Sequence, residues 1–296
     1  MKITWQKEDE KPQTLKHFLH KQGVSQRLYG KLKKGHGRVM LDGKITKLTV
    51  LLQKPTTVTL ELPPDANEEN VMVSYGPIKV VYEDEFWLVV DKPAGLTSVP
   101  GPSDQKDTLV NRVKGYLIQQ NSLTKAPRII TRLDRFTSGL VLFAKHSFAQ
   151  AQIASQVSSH RMDKRYFALV HGKVKQEHGF IEGPIARVAD EIRYQIDPSG
   201  RFAKSEYWLE KSSASVSLVQ VKLHTGRTHQ IRVHFSEHGH PLLGDRLYGG
   251  KCDLIMRQAL HAGKLGFTDP FTGKYLEFSS SLPQDMRLVI AKEFGN

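Results

Sequence analysis

The sequence predicts an α+β protein with a mixed, largely antiparallel sheet, flanking helices, and a small α/β domain at the N-terminus. Apolar residues alternate in several short runs, as in half-buried strands, and recur at helical spacing in others. A stretch with two prolines and three acids then interrupts the pattern from Pro63 onward. We therefore expect one domain over residues 1–62, a linker over 63–77 and a larger domain over 78–296.

Each element of the small domain has its own signal. Residues 15–23 and 25–34 show helical spacing, and Ser25 is placed to cap the second helix. The Asp42-Gly43 pair between extended runs predicts a hairpin over residues 38–44, which a strand over 57–62 completes.

The larger domain begins with a predicted hairpin, whose strands (78–82 and 86–90) flank an acidic turn. Further strands are predicted at 139–144, 166–170 and 216–223. Helices are predicted at 109–119, 148–157 and 228–238. Most neighbouring strands are expected to be antiparallel.

The composition excludes several protein classes. The 296 residues are 39% hydrophobic and 25% charged, which is typical of a folded globular chain. A single cysteine, Cys252, allows neither an internal disulfide nor a zinc site with several thiolates. No run approaches the ~18 apolar residues of a membrane helix, and residues 1–10 lack a signal core. We expect a cytoplasmic protein.

The charge is strongly basic and unevenly distributed. Lysine and arginine total 43 against 30 acidic residues, a net charge of +13. Residues 11–50 hold ten basic residues and one acid, Asp42. A solvated surface normally mixes both signs, so this excess favours a nucleic-acid partner.

The candidate catalytic segment is Arg132-Leu133-Asp134-Arg135-Phe136-Thr137-Ser138-Gly139, which leads into an apolar strand. A carboxylate between two guanidinium groups stays ionised and can act as a nucleophile or a base. From the residues alone, a turn stabilised by surface ion pairs is an equally good interpretation.

This segment closely resembles the catalytic motif H-R-L-D-R-x-T-S-G of the RluA-type pseudouridine synthases. Three further segments resemble the same family in the same chain order: residues 91–96, 164–170 and 225–234. Weaker matches follow at 239–245 and 260–262. The resemblance implies the pseudouridine synthase fold and the isomerisation of uridine in RNA, without a metal or an organic cofactor.

The resemblance also assigns roles to individual residues. Asp134 corresponds to the essential carboxylate, either as nucleophile at C1′ or as the base that takes the 2′ proton. Tyr166 corresponds to the tyrosine that stacks near the uracil and assists C5 deprotonation, and its alternative is a core aromatic. Arg232 corresponds to the arginine that pairs with the aspartate, for which we expect a bidentate bond. Its alternative is a surface ion pair.

A second group of residues is predicted to contact RNA. Arg132 corresponds to an arginine thought to insert into the RNA when the uridine flips out. The other candidates in the larger domain lie in the family motifs: Lys92, Arg135, Arg227, His229 and Gln230.

The N-terminal domain resembles an S4-type RNA-binding domain, because residues 37–43 stand where that family has its G-x-V-x-V-N-G hairpin. Asp42 replaces the usual asparagine but keeps the turn chemistry. Its RNA-contacting candidates are Lys31, Lys33, Lys34 and Arg38.

Two departures from the family pattern bear on the substrate, since Thr131 and Val99 stand where histidine is usual. We expect activity to be retained. The favoured substrate is large-subunit (23S) ribosomal RNA, with transfer RNA as the alternative and a monomer as the expected state.

Two other functions compete with this one. His234-Phe235-Ser236-Glu237-His238 matches the H-x-x-E-H pattern of inverted zinc peptidases. The second competing function is that of a non-catalytic RNA-binding assembly factor with the same fold. The intact set of Asp134, Tyr166 and Arg232 argues against it.

Overall fold

The computed structural model describes residues 1–65, 70–102 and 104–295. Residues 66–69 of the predicted linker lie outside this part. The N-terminal elements are β1 (Lys2–Lys7), β2 (Gln13–Thr14), α1 (Leu15–Lys21), α2 (Gln26–Lys33), β3 (Arg38–Leu41), β4 (Lys44–Ile45), β5 (Leu51–Leu52) and β6 (Thr56–Glu61). They form a four-stranded antiparallel sheet in the order β1-β6-β3-β4, while β2 pairs with β5.

Both predicted N-terminal helices are confirmed, as is the hairpin. The Ser25 side chain accepts a bond from the backbone N–H of Leu28, so it caps α2. Asp42 and Gly43 have φ values of 46° and 80°, the left-handed pair that a two-residue hairpin turn requires. Strand β1 was not predicted.

The N-terminal sheet has its own apolar core, formed around Leu15, Leu19, Val58 and Leu60. Phe148 from a later helix belongs to this core, so the two parts of the chain pack directly against each other.

The elements of the larger part are β7 (Lys79–Glu83), β8 (Trp87–Lys92), α3 (Leu109–Gln119), β9 (Arg128–Ile129), β10 (Ser138–Ala144), α4 (Ser147–Ser158), β11 (Asp163–His171), β12 (His178–Arg187), β13 (Tyr194–Ile196), β14 (Arg201–Ser212), β15 (Val216–Leu223), α5 (Gln230–Glu237), a 3₁₀ turn (Arg246–Tyr248), β16 (Leu260–Thr268), β17 (Tyr275–Ser279) and α6 (Gln284–Phe294).

These strands form one eleven-stranded sheet in the order β13-β12-β14-β15-β11-β16-β10-β8-β7. Strand β17 pairs with β16, and β9 pairs with β10. Only the β10–β16 pair is parallel among the described strands. The mixed, largely antiparallel sheet and all three predicted helices of this part are confirmed. Helix α5 begins at Gln230 rather than at 228, because His229 has a left-handed backbone with φ 57°.

The parallel β10–β16 pair depends on Gly139 at the start of β10. Its φ is 113°, and a Cβ there would overlap the carbonyl oxygen of Ala262 on β16. The glycine therefore allows the two strands to meet directly after the segment that carries Asp134.

Four helices in the described part of the chain cover parts of this sheet with apolar side chains, among them α4, whose Ile153 packs in the cluster of Trp87 and Leu142. Helices α3 and α5 contribute Leu109 and Phe235 to the largest core cluster. Helix α6 contributes Met286 to a separate cluster. No helix in the described part of the chain is long and apolar enough to cross a membrane.

Candidate active site

Asp134 lies in a tight turn between β9 and β10. The turn closes with a bond from the N–H of Thr137 to the carbonyl of Asp134, 3.1 Å long. The buried hydroxyl of Ser98 bonds to both backbone polar groups of the preceding residue, donating to the Leu133 carbonyl (2.5 Å) and accepting from the Leu133 N–H (3.1 Å). The backbone on both sides of Asp134 is therefore fixed by hydrogen bonds.

Lys92 stabilises this turn from the protein interior. Its side chain is fully buried, and its ammonium donates to the carbonyls of Pro93, Leu96 and Arg135 at 2.9, 2.8 and 3.1 Å. The prediction that Lys92 contacts RNA is therefore wrong, because the three donors of this ammonium are used inside the protein. Lys92 joins the loop after β8 to the turn that carries Asp134.

Burial lowers the pKa of Lys92 to about 7, and the charge of Asp134 only partly offsets this effect. In the unfolded chain the lysine pKa is the ordinary 10.5, so between pH 7 and pH 10.5 the unfolded chain holds this proton and the folded protein does not. The Lys92 contribution to stability is thus full above pH 10.5 and is lost as the pH falls through 7. We expect the free energy of unfolding of the wild type to rise from pH 7 to pH 9 by about 2 kcal/mol more than that of Lys92→Met.

Urea denaturation at the two pH values measures this difference. Lys54→Met, at an exposed lysine, is the matched control and should keep the wild-type pH dependence. Parallel pH dependences of the wild type and Lys92→Met would show that Lys92 keeps an ordinary pKa.

Arg232 contacts Asp134 but is oriented by another residue. Its Nη1 donates to Asp134 Oδ2 at 3.2 Å, whereas Nε and Nη2 form a fork with the two carboxylate oxygens of Asp245, at 2.7 and 2.8 Å. The pairing with Asp134 is confirmed, but the expected bidentate bond is made with Asp245 instead. Burial lowers the pKa of Arg232, but the bonds and charges of Asp245 and Asp134 outweigh it and raise the pKa.

Tyr248, from the 3₁₀ turn, packs on the same guanidinium, with the Arg232 carbon 4.8 Å from the ring centroid. Its hydroxyl lies 2.9 Å from His229 Nδ1 and accepts a bond from the N–H of Tyr194. His229 Nε2 lies 3.8 Å from Asp134 Oδ2. Burial lowers the pKa of His229, so the imidazole beside Asp134 is largely neutral at pH 7.

Tyr166 lies on β11 within the largest apolar cluster and lines the same pocket as Asp134. Burial, followed by the negative charge of Asp134, raises its pKa well above the usual range. The phenol therefore keeps its proton at neutral pH and is a hydrogen-bond donor.

Gln230 is almost fully buried, in the wall of the pocket that contains Asp134. Its Oε1 accepts bonds from the Thr225 hydroxyl (2.7 Å) and the Arg227 N–H (3.0 Å). Its Nε2 donates to the Lys204 carbonyl and the Ser205 hydroxyl. The prediction that Gln230 contacts RNA is wrong, because all its polar atoms are used to shape the turn that presents Arg227.

The central pocket is the cavity that contains Asp134. It has a volume of about 570 Å³ and is lined mainly by residues 97–99, 130–135 and 226–232. Four cations line it besides Arg232: Arg132, Arg135, Lys164 and Arg227. Thr131, at the position where the family motif has histidine, accepts a bond from the Leu142 N–H and so fastens β9 to β10. The pocket combines one carboxylate with a ring of positive charge.

The N-terminal candidates lie on the surface. Lys31, Lys33 and Lys34 are exposed at the end of α2, and the Lys33 ammonium lies 5.5 Å from the centroid of the Tyr29 ring. Arg38 is also exposed, but it forms a two-bond pair with Glu61 at 2.7 and 3.1 Å. A phosphate would therefore compete with Glu61 for Arg38.

The H-x-x-E-H segment forms α5 and the residue after it. His234 is fully buried, with Nδ1 2.9 Å from the Ser205 hydroxyl. His238 Nδ1 donates to the His234 carbonyl. Within the described residues, no group of three or more histidine, cysteine, aspartate or glutamate side chains has a metal-binding arrangement.

The sequence interpretation missed Asp245, Tyr248 and Ser98 as parts of this site. Asp245 ends the segment 239–245, which resembles the family, but nothing in that pattern indicates its partner. Ser98 and Tyr248 have no sequence signal that separates them from other serines and tyrosines.

Comparison with known proteins identifies the family. Residues 86–237 match the family model described as RNA pseudouridylate synthase. The chain belongs to the RNA pseudouridine synthase family. The enzyme is 34% identical to the uncharacterized RNA pseudouridine synthase YjbO of Bacillus subtilis (strain 168), over 95% of this chain and 99% of that protein.

The enzyme is also 37% identical to ribosomal large subunit pseudouridine synthase D of Zymomonas mobilis, over 79% of this chain and 77% of that protein. Among solved structures, human RNA pseudouridylate synthase domain containing 4 superposes with a TM-score of 0.62 at 20% identity. The match covers 72% of this chain and 92% of the human one, and it shows the common fold.

Proposed function

We propose that this enzyme converts uridine to pseudouridine in large-subunit (23S) ribosomal RNA, with Asp134 as the essential carboxylate. The observation that carries the assignment of Asp134 is its position in the cation-lined central pocket, 3.2 Å from Arg232. The relatives named ribosomal large subunit pseudouridine synthase D support ribosomal RNA as the substrate.

The reaction needs no redox change. The bond from uracil N1 to C1′ breaks, the base turns, and C5 bonds to C1′; C5 loses a proton and N1 gains one. Asp134 either attacks C1′ or removes the 2′ proton, and both roles require an ionised carboxylate next to the sugar. Arg232 bonds to Asp134 Oδ2 and leaves the second oxygen, Oδ1, available to the substrate.

Tyr166 supports the reaction as a neutral phenol. Because the pKa of Tyr166 is raised, the neutral phenol is a poor base at neutral pH. Tyr166 therefore assists C5 deprotonation by holding the detached uracil in place, in a site from which water is excluded. Its burial within the apolar cluster suits a ring that packs against a base.

Arg132 is exposed at the rim of the pocket and is suited to fill the space that a flipped uridine leaves. We expect Arg132→Ala to reduce kcat/KM on a folded RNA about tenfold more than on a flexible single strand, since unstacking the uridine costs a few kcal/mol only in the folded RNA. Tritium release from the two RNAs measures the ratio.

Arg132→Lys is the matched variant, because it keeps the charge but loses the planar group that can stack. It should behave like Arg132→Ala on folded RNA. Equal losses on both RNAs would assign Arg132 to phosphate binding.

We further propose that residues 1–62 form an S4-like RNA-binding domain, that 63–77 link it to the catalytic domain, and that 78–296 form the latter. The separate sheet of the N-terminal part, and an apolar core formed mainly by residues 1–62, support this division. Lys31, Lys33 and Lys34 would contact RNA phosphates, together with Arg38 once it exchanges Glu61 for a phosphate.

The deciding experiment measures tritium release from 5-tritiated uridine in ribosomal and transfer RNA that lack the modification. Release from ribosomal RNA alone supports the proposal, and release from transfer RNA alone replaces its substrate. Tight RNA binding without release from either would favour the assembly factor.

A further inference from the structure

A second cavity, which we call the side pocket, lies next to the central pocket and has no role in the chemistry described above. Its volume is about 590 Å³. It lies where α4 ends and β11 begins, and it extends to the ends of β15 and β16. Its main polar side chains are Gln152, Ser155, Arg161, Asp163, Lys222 and His224.

The side pocket and the central pocket adjoin. His160 and Met162 line both cavities. His160 comes shortly after the end of α4 and has a left-handed backbone (φ 54°). Because it lines both cavities, it lies on the boundary between them. Burial and the nearby charges of Lys164 and Arg227 lower the pKa of His160, so its ring is mostly neutral at pH 7. A neutral imidazole on this boundary is suited to stack against a nucleobase.

The charge of the side pocket favours an anion. Within the described part of the chain, neither Arg161 nor Lys222 has a carboxylate within 4 Å. Arg161 Nε donates only to the Ser159 hydroxyl, at 2.9 Å. Asp163 is paired with Arg165 through Oδ2, at 3.2 Å, while its Oδ1 is buried without a hydrogen-bond partner among the described residues. Arg161 and Lys222 outnumber this one carboxylate, so the lining of the pocket has a net positive charge.

The side pocket also reaches the N-terminal part of the chain. Gln152, one of its lining residues, donates through Nε2 to the Gln22 carbonyl at 2.7 Å. Gln22 directly follows α1, whose last turn holds His20 and Lys21. The side pocket thus lies between the central pocket and the basic N-terminal elements.

We propose that the side pocket binds the single-stranded RNA segment next to the target uridine and directs that strand from the central pocket toward the N-terminal part. This inference rests on the proposed function, because it takes the target uridine to occupy the central pocket. Arg161 and Lys222 bind phosphates of this segment, and His160 stacks on a base at the boundary.

The test compares two double variants that each remove two positive charges, both in an Asp134→Asn background so that binding is measured without turnover. Arg161→Ala/Lys222→Ala alters the side pocket. Lys173→Ala/Lys175→Ala is the control, since both lysines are exposed beyond the far end of β11. The nine residues of β11 separate the two sites by about 27 Å.

Binding of an unmodified ribosomal RNA transcript is measured by filter retention over a series of salt concentrations. We expect Arg161→Ala/Lys222→Ala to raise Kd and to reduce the slope of log Kd against log salt by about 1.4, or about 0.7 for each lost contact to a single strand. The control should keep the Kd and the slope of its Asp134→Asn parent.

Equal effects of the two double variants, or no effect of Arg161→Ala/Lys222→Ala, would overturn the proposal. A wild-type enzyme that releases no tritium, while the two variants still differ in slope, would overturn the proposed function and retain the side pocket as an RNA site. The two failures are therefore distinguishable.

Discussion

Asp134→Asn is expected to lower the rate of tritium release by at least about 10⁴-fold, as the loss of a nucleophile or essential base does in other enzymes. The amide has the same shape but can neither attack C1′ nor accept the 2′ proton. It also removes a negative charge from a pocket lined by cations, so RNA should bind at least as tightly as to the wild type. Single-turnover release and filter binding on the same RNA measure the two effects.

The control for the lost charge is Glu210→Gln, at an exposed position on β14, which should keep the wild-type rate. A thermal unfolding curve of Asp134→Asn close to that of the wild type separates a chemical defect from a folding defect. A residual rate within tenfold of the wild type would remove Asp134 from its proposed role.

The candidate site was partly predictable because local sequence determines some of its geometry. The position of Asp134 next to a buried strand follows from the small-residue turn and the apolar run after it. Gly139 is part of that small-residue turn, and its positive φ shows why another residue would not fit there. Asp42-Gly43 and Ser25 likewise act within a few residues, so a hairpin and a helix cap could be read directly.

The errors concern residues whose role depends on distant partners. Lys92 and Gln230 are polar residues in conspicuous motifs, and both were expected to contact RNA. Lys92 instead donates to a carbonyl 43 residues away, and Gln230 to one 26 residues away. Burial of this kind is created by the tertiary fold, so composition and spacing do not report it.

The same reason explains the elements that were not predicted. Strands β12 and β14 carry mixed polar and apolar residues, and both are placed by their neighbours in the sheet: β14 pairs with β12 on one side and with β15 on the other. Helix α6 is amphipathic, but its apolar residues are buried only because the helix packs on the sheet, where Met286 is fully buried. Long-range pairing thus defines parts of the sheet that sequence patterns leave ambiguous.

Asp245→Ala is expected to reduce both stability and turnover. It removes the carboxylate that holds two nitrogens of Arg232, whose side chain is only 7% exposed. Loss of one partner from a buried ion pair costs about 3–5 kcal/mol, and here the buried guanidinium loses two of its three carboxylate bonds. The guanidinium then has only Asp134 to bind, and a closer bond between these two would occupy the carboxylate oxygens that the reaction needs. Urea unfolding and single-turnover tritium release measure the two losses.

A second variant separates the positioning role of Asp245 from its contribution to stability. In Asp245→Ala/Arg232→Met, the buried charge is gone, and an apolar side chain of similar length replaces it, so most of the lost unfolding free energy should return. Turnover should stay low, because the guanidinium that bonds to Asp134 is then absent. If activity returned together with stability, turnover would need neither Asp245 nor the Arg232 guanidinium, and the pair would serve only the fold. If turnover alone fell in Asp245→Ala, with stability unchanged, the pair would be less buried in solution than its geometry indicates. Stability restored without activity would show that turnover depends on the guanidinium that Asp245 orients toward Asp134, and not on the stability of the fold.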